Sequence, residues 1–382
     1  MKFGIYPGGR AGTMCSRPSE PEAVGRLVDE LAGGGPFVIR EYVHYLGDDP
    51  APESVAAIGA EHELTRLTMP DDWYARDGRE LDLVASYLPP AADLPGWLRF
   101  LDRIIDRYGH LTRFLQVTLE PNFPVPLIDG SSPGVLDALT RGLPHARAAL
   151  DRRGLGHVRV GFSVAEPAEW LGGDDAFWQH LAAIPGSAFA AHLDYVGLAL
   201  YPDAFSPVAP EHVAPMTAHA IEQLRARIPA GVPIHVVENG SPSGAPIPLV
   251  ENAPPPDAPN HAVENTPPPG APNHLTENTP PTSAPNHLTE NTPPIGAPNH
   301  FDENGSPTGR PRTEADQARS LRTMIETIRA AGVGQYELFG LRDADSGSPE
   351  PLGHLGLVTD AYRPKEAFAA YRDIVTTSLP TV

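Results

Sequence analysis

Two glutamates each close an apolar run. In Thr118-Leu119-Glu120-Pro121-Asn122 and in Val236-Val237-Glu238-Asn239-Gly240 a carboxylate follows a buried-type stretch and precedes a turn signal. A glutamate that ends a buried strand costs stability unless it has partners or a task. If both runs are parallel strands of one narrow barrel, their C-terminal ends share a mouth. Two carboxyls about 5–5.5 Å apart there can act as nucleophile and acid/base on a glycosidic bond. One of them must then have a raised pKa, so that it can donate a proton near neutrality.

Four further residues fit around this pair. Arg40 sits late in Val38-Ile39-Arg40-Glu41-Tyr42. Pointing inward, it needs an anion, and a catalytic carboxylate would serve; a structural pair with Glu41 or a neighbouring strand would serve too. Tyr201 is either a site residue or a core aromatic with its hydroxyl at the rim. Asn122 can contact a sugar or cap the next turn. Asp343, followed by Asp345, ends the last strand candidate, in a site role or a loop role. Tyr87 and His44 are additional candidates. The plain alternatives for the glutamates are an exposed loop carboxylate at Glu238 and a capping or salt-bridged carboxylate at Glu120.

The elements that must position these residues alternate along the chain. Apolar, β-branched or aromatic runs fall at 2–6, 37–43, 81–88, 113–119, 157–164, 195–201, 234–238 and 335–341. Helical patterns separate them, at 20–33, 98–108, 134–153, 175–184, 216–228, 313–331 and 365–375, with a poor helical signal between Leu46 and Leu81. Eight strands alternating with helices predict a parallel α/β fold. The rival, a doubly wound open sheet, usually carries a Gly-rich phosphate turn after its first strand. Pro7-Gly8-Gly9-Arg10-Ala11-Gly12 is Gly-rich but lacks that spacing and reads as a loop.

One gap in the alternation is too long. The dipeptide Glu-Asn begins at 238, 251, 264, 277, 290 and 303, a spacing of 13 every time, so the segment arose by tandem duplication. Each unit carries several prolines and few aliphatic side chains. Helix and sheet ladders are both excluded by that composition, and too little apolar surface is present to offset ordering. The segment is expected to be an extended, polyproline-II-like or disordered insertion. Without five units, the interval from Ile234 to Gln335 shrinks to that of an ordinary βα unit, and eight units make a (β/α)8 TIM barrel. The expected division is residues 1–242 for strands 1–7, 243–302 for the repeat insertion, 303–376 for strand 8 and the closing helices, and 377–382 for a flexible tail. Glu303 shares the Glu-Asn-Gly signature of Glu238 but follows Asn-His-Phe-Asp; an alternative register would put it in the barrel instead. The repeat histidines His261, His274, His287 and His300 are lone imidazoles rather than a converging metal set.

Composition narrows the function classes. The 382 residues are 41% hydrophobic, enough for a large core. With 28 Lys+Arg against 48 Asp+Glu the formal charge is −20, which argues against nucleic acid and against an anionic membrane surface as partners. No apolar run reaches the ~18–20 residues of a membrane span. One cysteine, Cys15, excludes an internal disulfide framework and a cysteine-cage metal site. The N-terminus lacks the pattern of a secretory signal, so a cytoplasmic location is expected. No metal or organic cofactor is expected either. The 46 prolines, about 12% against a usual ~5%, are concentrated in the repeats.

Taken in order, the motifs resemble those of the clan of retaining (β/α)8-barrel glycoside hydrolases that includes β-glycosidases, endoglucanases and β-xylosidases. Glu120-Pro121-Asn122 resembles its strand-4 Asn-Glu-Pro acid/base motif, and Glu238-Asn239-Gly240 its strand-7 nucleophile motif. The stretch from Asp194 to Pro202 is similar to the strand-6 segment whose tyrosine touches the nucleophile. Tyr336 to Asp343, then Leu355 to Asp360 and Arg363-Pro364-Lys365, resemble strand 8 and the closing segment. The resemblance implies a carbohydrate or glycoside substrate, with Glu238 as nucleophile, Glu120 as acid/base, and Arg40 and Tyr201 orienting Glu238. Two positions depart from the pattern. Leu119 stands where the clan has the asparagine that holds the sugar 2-hydroxyl, and Leu338-Phe339 stand where it has a tryptophan platform. A second reading therefore stays open: a catalytically degenerate barrel that carries the repeats as a peptide-modification substrate or a multivalent docking arm for a protein partner. A third treats the repeats as a neutral expansion of a surface loop.

Overall fold

The computed structural model describes residues 1–8, 19–57, 64–166, 174–184, 189–204, 208–244, 246–247 and 310–379. Eight parallel strands close into a barrel: β1 (Lys2–Tyr6), β2 (Phe37–Tyr45), β3 (Arg79–Tyr87), β4 (Thr112–Val117), β5 (Arg159–Ala165), β6 (Tyr195–Leu200), β7 (Ile234–Asn239) and β8 (Gln335–Phe339). Each pairs with its sequence neighbours, and β8 returns to β1 from Lys2↔Gln335 to Tyr6↔Phe339. With helices between the strands, this is the (β/α)8 barrel that the alternation predicts. The repeat array and its histidines, and Glu303, lie outside the described residues.

Two helices begin earlier than their apolar periodicity suggests. The helix expected from Leu98 begins at Leu94, because Asp93 caps it by accepting from the Gly96 N–H at 2.9 Å and a proline fills the first turn. The helix expected from Met216 begins at Pro210 and continues through Pro215. Between β2 and β3 only Pro52–Ala57 and Asp71–Tyr74 are helical among the described residues, in the region of weak signal.

Strand residues alternate between two cores, as a period of two requires. Ile39, Leu83, Leu115 and Val236 join the large core between strands and helices, while Val38, Phe114, Tyr195 and Val237 fill the barrel interior. Polar side chains occupy the interior nearer the C-terminal strand ends: Arg40, Asp82, Gln116, Ser163 and Glu337 are all fully buried. Space for them is made on β1, where a Cβ at Gly4 would lie 2.6 Å from the Val38 Cβ and 3.0 Å from the Glu337 Cγ.

The alternation breaks once where it matters. Between β6 and β7 the register runs Leu198↔Val236 and then Ala199↔Glu238, so Val237 is an extra residue on β7. A bulge of this kind re-aims the side chain that follows it. Val237 and Glu238 consequently both face the interior, and Asn239 faces out, held by the Tyr336 hydroxyl at 2.7 Å.

Both feet of the repeat insertion are pinned to the barrel. The Gly244 N–H donates to the Arg312 carbonyl at 2.6 Å, and Pro246–Ile247 pairs antiparallel with Arg310–Pro311. Ser243 accepts from Lys365 Nζ at 3.0 Å, and Arg312 forms a buried ion pair with Asp203 at 2.7 Å. Among the described residues no helix is long and apolar enough to cross a membrane.

Candidate active site

Glu238 receives three side-chain hydrogen bonds. The Tyr42 hydroxyl donates to Oε1 at 2.6 Å, Arg40 Nη2 donates to the same oxygen at 3.2 Å, and the Tyr201 hydroxyl donates to Oε2 at 3.1 Å. Arg40 is wholly buried and also donates to the Tyr42 oxygen, Asp82 and Gln116, at 2.7, 2.7 and 3.0 Å. Tyr42 thus bridges guanidinium and carboxylate, accepting from one and donating to the other. Burial pushes its phenol well above the ordinary range, so it is a proton donor at any working pH. Glu41 points the other way, to Tyr74 and Thr68 at 2.6 and 2.9 Å, so it does not pair with Arg40.

Glu120 has a different environment. It too is buried, but no described side chain donates to its carboxyl; its backbone N–H meets Ser163 Oγ at 3.3 Å. Burial first, and then the charge of Glu238, push its pKa well above the usual carboxylate range. The two buried carboxyls are therefore near enough for their charges to interact. The backbone that delivers Glu120 is strained, with φ of 70° at Thr118 and 47° at Glu120. Asp129 staples this turn to β3. Its Oδ2 accepts from the Tyr87 and Leu119 N–H groups, both at 2.7 Å, and its Oδ1 accepts from Ser86 Oγ at 2.6 Å.

Of the residues singled out by sequence, Arg40, Tyr201, Glu120 and Glu238 come together. Asn122 is adjacent, but both of its amide hydrogens are taken up by the Ala165 carbonyl at 3.0 Å and Asp174 at 2.9 Å, leaving little to offer a ligand. Asp343, past the end of β8, accepts from Lys365 at 2.6 Å and from Ser346 at 2.9 Å. Tyr87 lies in the outer core, and His44 stacks on Tyr42. Leu119 and Phe339, the two departures from the resembled pattern, pack with Tyr6, Tyr42 and Val84 as an apolar rim.

Sequence reasoning missed Tyr42, Asp82, Glu337 and Asp129. The first three carried a signal, because each is a polar residue at an inward position of its strand. Tyr42 is two residues beyond Arg40 and so shares its face. Glu166 was also missed. It follows β5 directly, as Glu120 follows the β4 run, and burial pushes its pKa up to about 7.

Compared with models of known protein families and with curated proteins, the chain matches none. Its fold does match solved structures. It is similar to a family 39 glycoside hydrolase from Bacteroides cellulosilyticus WH2, with TM-score 0.52 and 11% identity over 98% of this chain and 63% of that one. It is similar to a Rhizomucor miehei β-1,3-glucanosyltransferase, an active-site mutant in complex with laminaritriose, with TM-score 0.52 and 9% identity over 96% of both chains. A Ruminococcus gnavus β-glucuronidase in complex with D-glucuronic acid gives TM-score 0.51 and 12% identity over 98% of this chain and 48% of that one. The chain thus spans under two thirds of the first of these proteins and about half of the third. At these identities the likeness is one of fold: a barrel of the kind glycoside hydrolases use.

Proposed function

We propose that the protein is a glycoside hydrolase that works by double displacement. Glu238 attacks the anomeric carbon while Glu120 protonates the departing oxygen, and a glycosyl ester forms on Glu238. Glu120, now a carboxylate, then takes a proton from water, which attacks the ester and releases the sugar. The observation that carries this reading is the contrast between two buried carboxyls whose charges interact. Glu238 is fixed by three donors, as a nucleophile requires; Glu120 has no described donor and is held protonated by burial and by its neighbour. Opposed environments of this kind separate nucleophile from acid. Arg40, Tyr42 and Tyr201 hold the Glu238 carboxylate in place.

The same contrast favours an enzyme over a barrel that merely carries the repeats: a buried Arg40 needs partners in either case, but a barrel without a task has no need to bury Glu120 without a donor on a strained turn. The test is turnover of a panel of aryl glycosides by wild type, Glu120→Gln and Glu238→Gln. Glu238→Gln is expected to be inactive on all of them. Glu120→Gln is expected to lose most activity on poor leaving groups and least on the most acidic phenols, which need no proton. Equal activity in all three proteins, or no turnover by the wild type of any glycoside, would overturn the reading.

A further inference from the structure

Beneath Glu238 the barrel interior holds more carboxyls than the mechanism uses. Asp82 on β3 and Glu337 on β8 are both completely buried. Together with Glu238 they make three carboxyls around one guanidinium, that of Arg40. Asp82 Oδ2 accepts from Arg40 Nη1 at 2.7 Å, and Glu337 Oε1 accepts from Gln335 Nε2 at 2.7 Å. The other two oxygens, Asp82 Oδ1 and Glu337 Oε2, are buried and meet no donor among the described residues, and the two carboxyls lie close enough to perturb each other. Two ionised carboxylates are acceptors only, so neither oxygen can satisfy the other unless a proton sits between them.

We propose that Glu337 is a positioning residue: it carries a proton on Oε2, donates it to Asp82 Oδ1, and so holds Asp82 against Arg40 and Arg40 against Glu238. The brace crosses the interior from β8 through β3 and β2 to β7. The consequence for Glu238, though not the shared proton itself, rests on the hydrolase reading above. With the proton in place, the pair presents one negative charge to Arg40 rather than two, and Arg40 keeps Nη2 for Glu238. Without it, a dianion beside Nη1 would draw the guanidinium down the barrel and away from the mouth.

The surroundings agree. Burial and the Asp82 charge push Glu337 well above the usual carboxylate range. The other ionisable groups facing the pair are Arg40, Glu238, Tyr195 from β6 and Tyr371 from the closing helix, and burial keeps both phenols protonated.

The test uses the full chain and two variants. Glu337→Gln keeps an N–H donor for Asp82 and removes the acid; Glu337→Met keeps bulk and removes the donor. In the infrared difference spectrum of wild type minus Glu337→Gln near neutral pH, the carbonyl stretch of a buried protonated carboxyl is expected to be present. On a hydrolysed glycoside, Glu337→Gln is expected to stay within about threefold of wild type, while Glu337→Met loses about tenfold or more in kcat at an unchanged KM. Absence of the protonated band, or Met performing as well as Gln, would overturn the proposal even if the wild type hydrolyses glycosides. Presence of the band in a protein that hydrolyses nothing would sustain the shared proton and count against the hydrolase reading instead. If Glu337→Met does not fold, the spectrum of the isosteric Gln variant still decides.

Discussion

Tyr42→Phe removes one hydroxyl and leaves the ring. The ring packs edge-on against Tyr6 with centroids 4.9 Å apart and lies in the apolar rim with Val84 and Leu119, so the interior keeps its shape. Two hydrogen bonds disappear, the 2.6 Å bond to Glu238 Oε1 and the 2.7 Å bond from Arg40 Nε. A bond to a charged group contributes about 1.5–3 kcal/mol. If the first of these is made in full only when Glu238 is aligned for attack, kcat/KM falls by roughly ten- to a hundredfold. The second loss leaves an Arg40 donor unpaired in a site of zero exposure, which costs about 1–3 kcal/mol of stability. At about 1–2 °C per kcal/mol for a chain of 382 residues, the melting temperature drops by roughly one to five degrees. Initial rates on a hydrolysed aryl glycoside and a thermal melt measure both effects. Tyr201→Phe, which loses a 3.1 Å bond to the other oxygen, is the milder companion. If Tyr42→Phe melts lower but retains kcat/KM within about twofold, Tyr42 serves the fold alone and the reasoning fails.

Three other outcomes are expected. Glu238→Gln removes the charge that helps raise Glu120, so the Glu120 carboxyl, followed by carbon-13 NMR, should titrate lower than in the wild type while burial keeps it above the ordinary range; an unchanged titration would mean that the two carboxyls do not share a pocket. Glu41 and Asp129 are pushed by burial to about 7, from ordinary values of 4.5 and 3.8. Folded protein therefore holds protons that the unfolded chain has released, and their stabilisation is complete below the unfolded values and lost as the pH rises through about 7. Melting temperature should decline from about pH 5 to about pH 8, and less steeply in Glu41→Gln. Excising residues 248–309 and joining Ile247 to Arg310 by a two-residue turn should leave the melting temperature within about 2 °C, because the Gly244–Arg312, Ser243–Lys365 and Arg312–Asp203 bonds hold both feet without the repeats; a barrel that no longer folds would show that the repeats are part of its structure.

What the sequence made legible was whatever depends on period and punctuation. Eight apolar runs separated by helical patterns specify a parallel barrel, and the barrel in turn places strand ends at one mouth, which is why Glu120, Glu238, Arg40 and Tyr201 group together from the order of residues alone. Three things were not legible. The bulge at Val237 is invisible in Ile234-His235-Val236-Val237-Glu238, yet strict alternation without it would turn Glu238 outward. The role of Asp129 depends on a loop folding back to reach the Tyr87 and Leu119 amides, a contact no local pattern announces. Asn122 and Asp343 meet the Ala165 backbone and the Lys365 ammonium, contacts with segments distant in sequence that no local pattern announces. Asp82 and Glu337 were readable in principle, since a charge in the middle of a barrel strand must find a partner inside.

The decisive measurement is mass spectrometry of the protein after reaction with a slow fluorinated glycoside that forms an ester and releases it poorly. A single glycosyl adduct on the peptide carrying Glu238, absent in Glu238→Gln, is the expected result. An adduct on another carboxylate, or hydrolysis that proceeds with no adduct and inverts the anomeric centre, would contradict the assignment of Glu238 as the nucleophile.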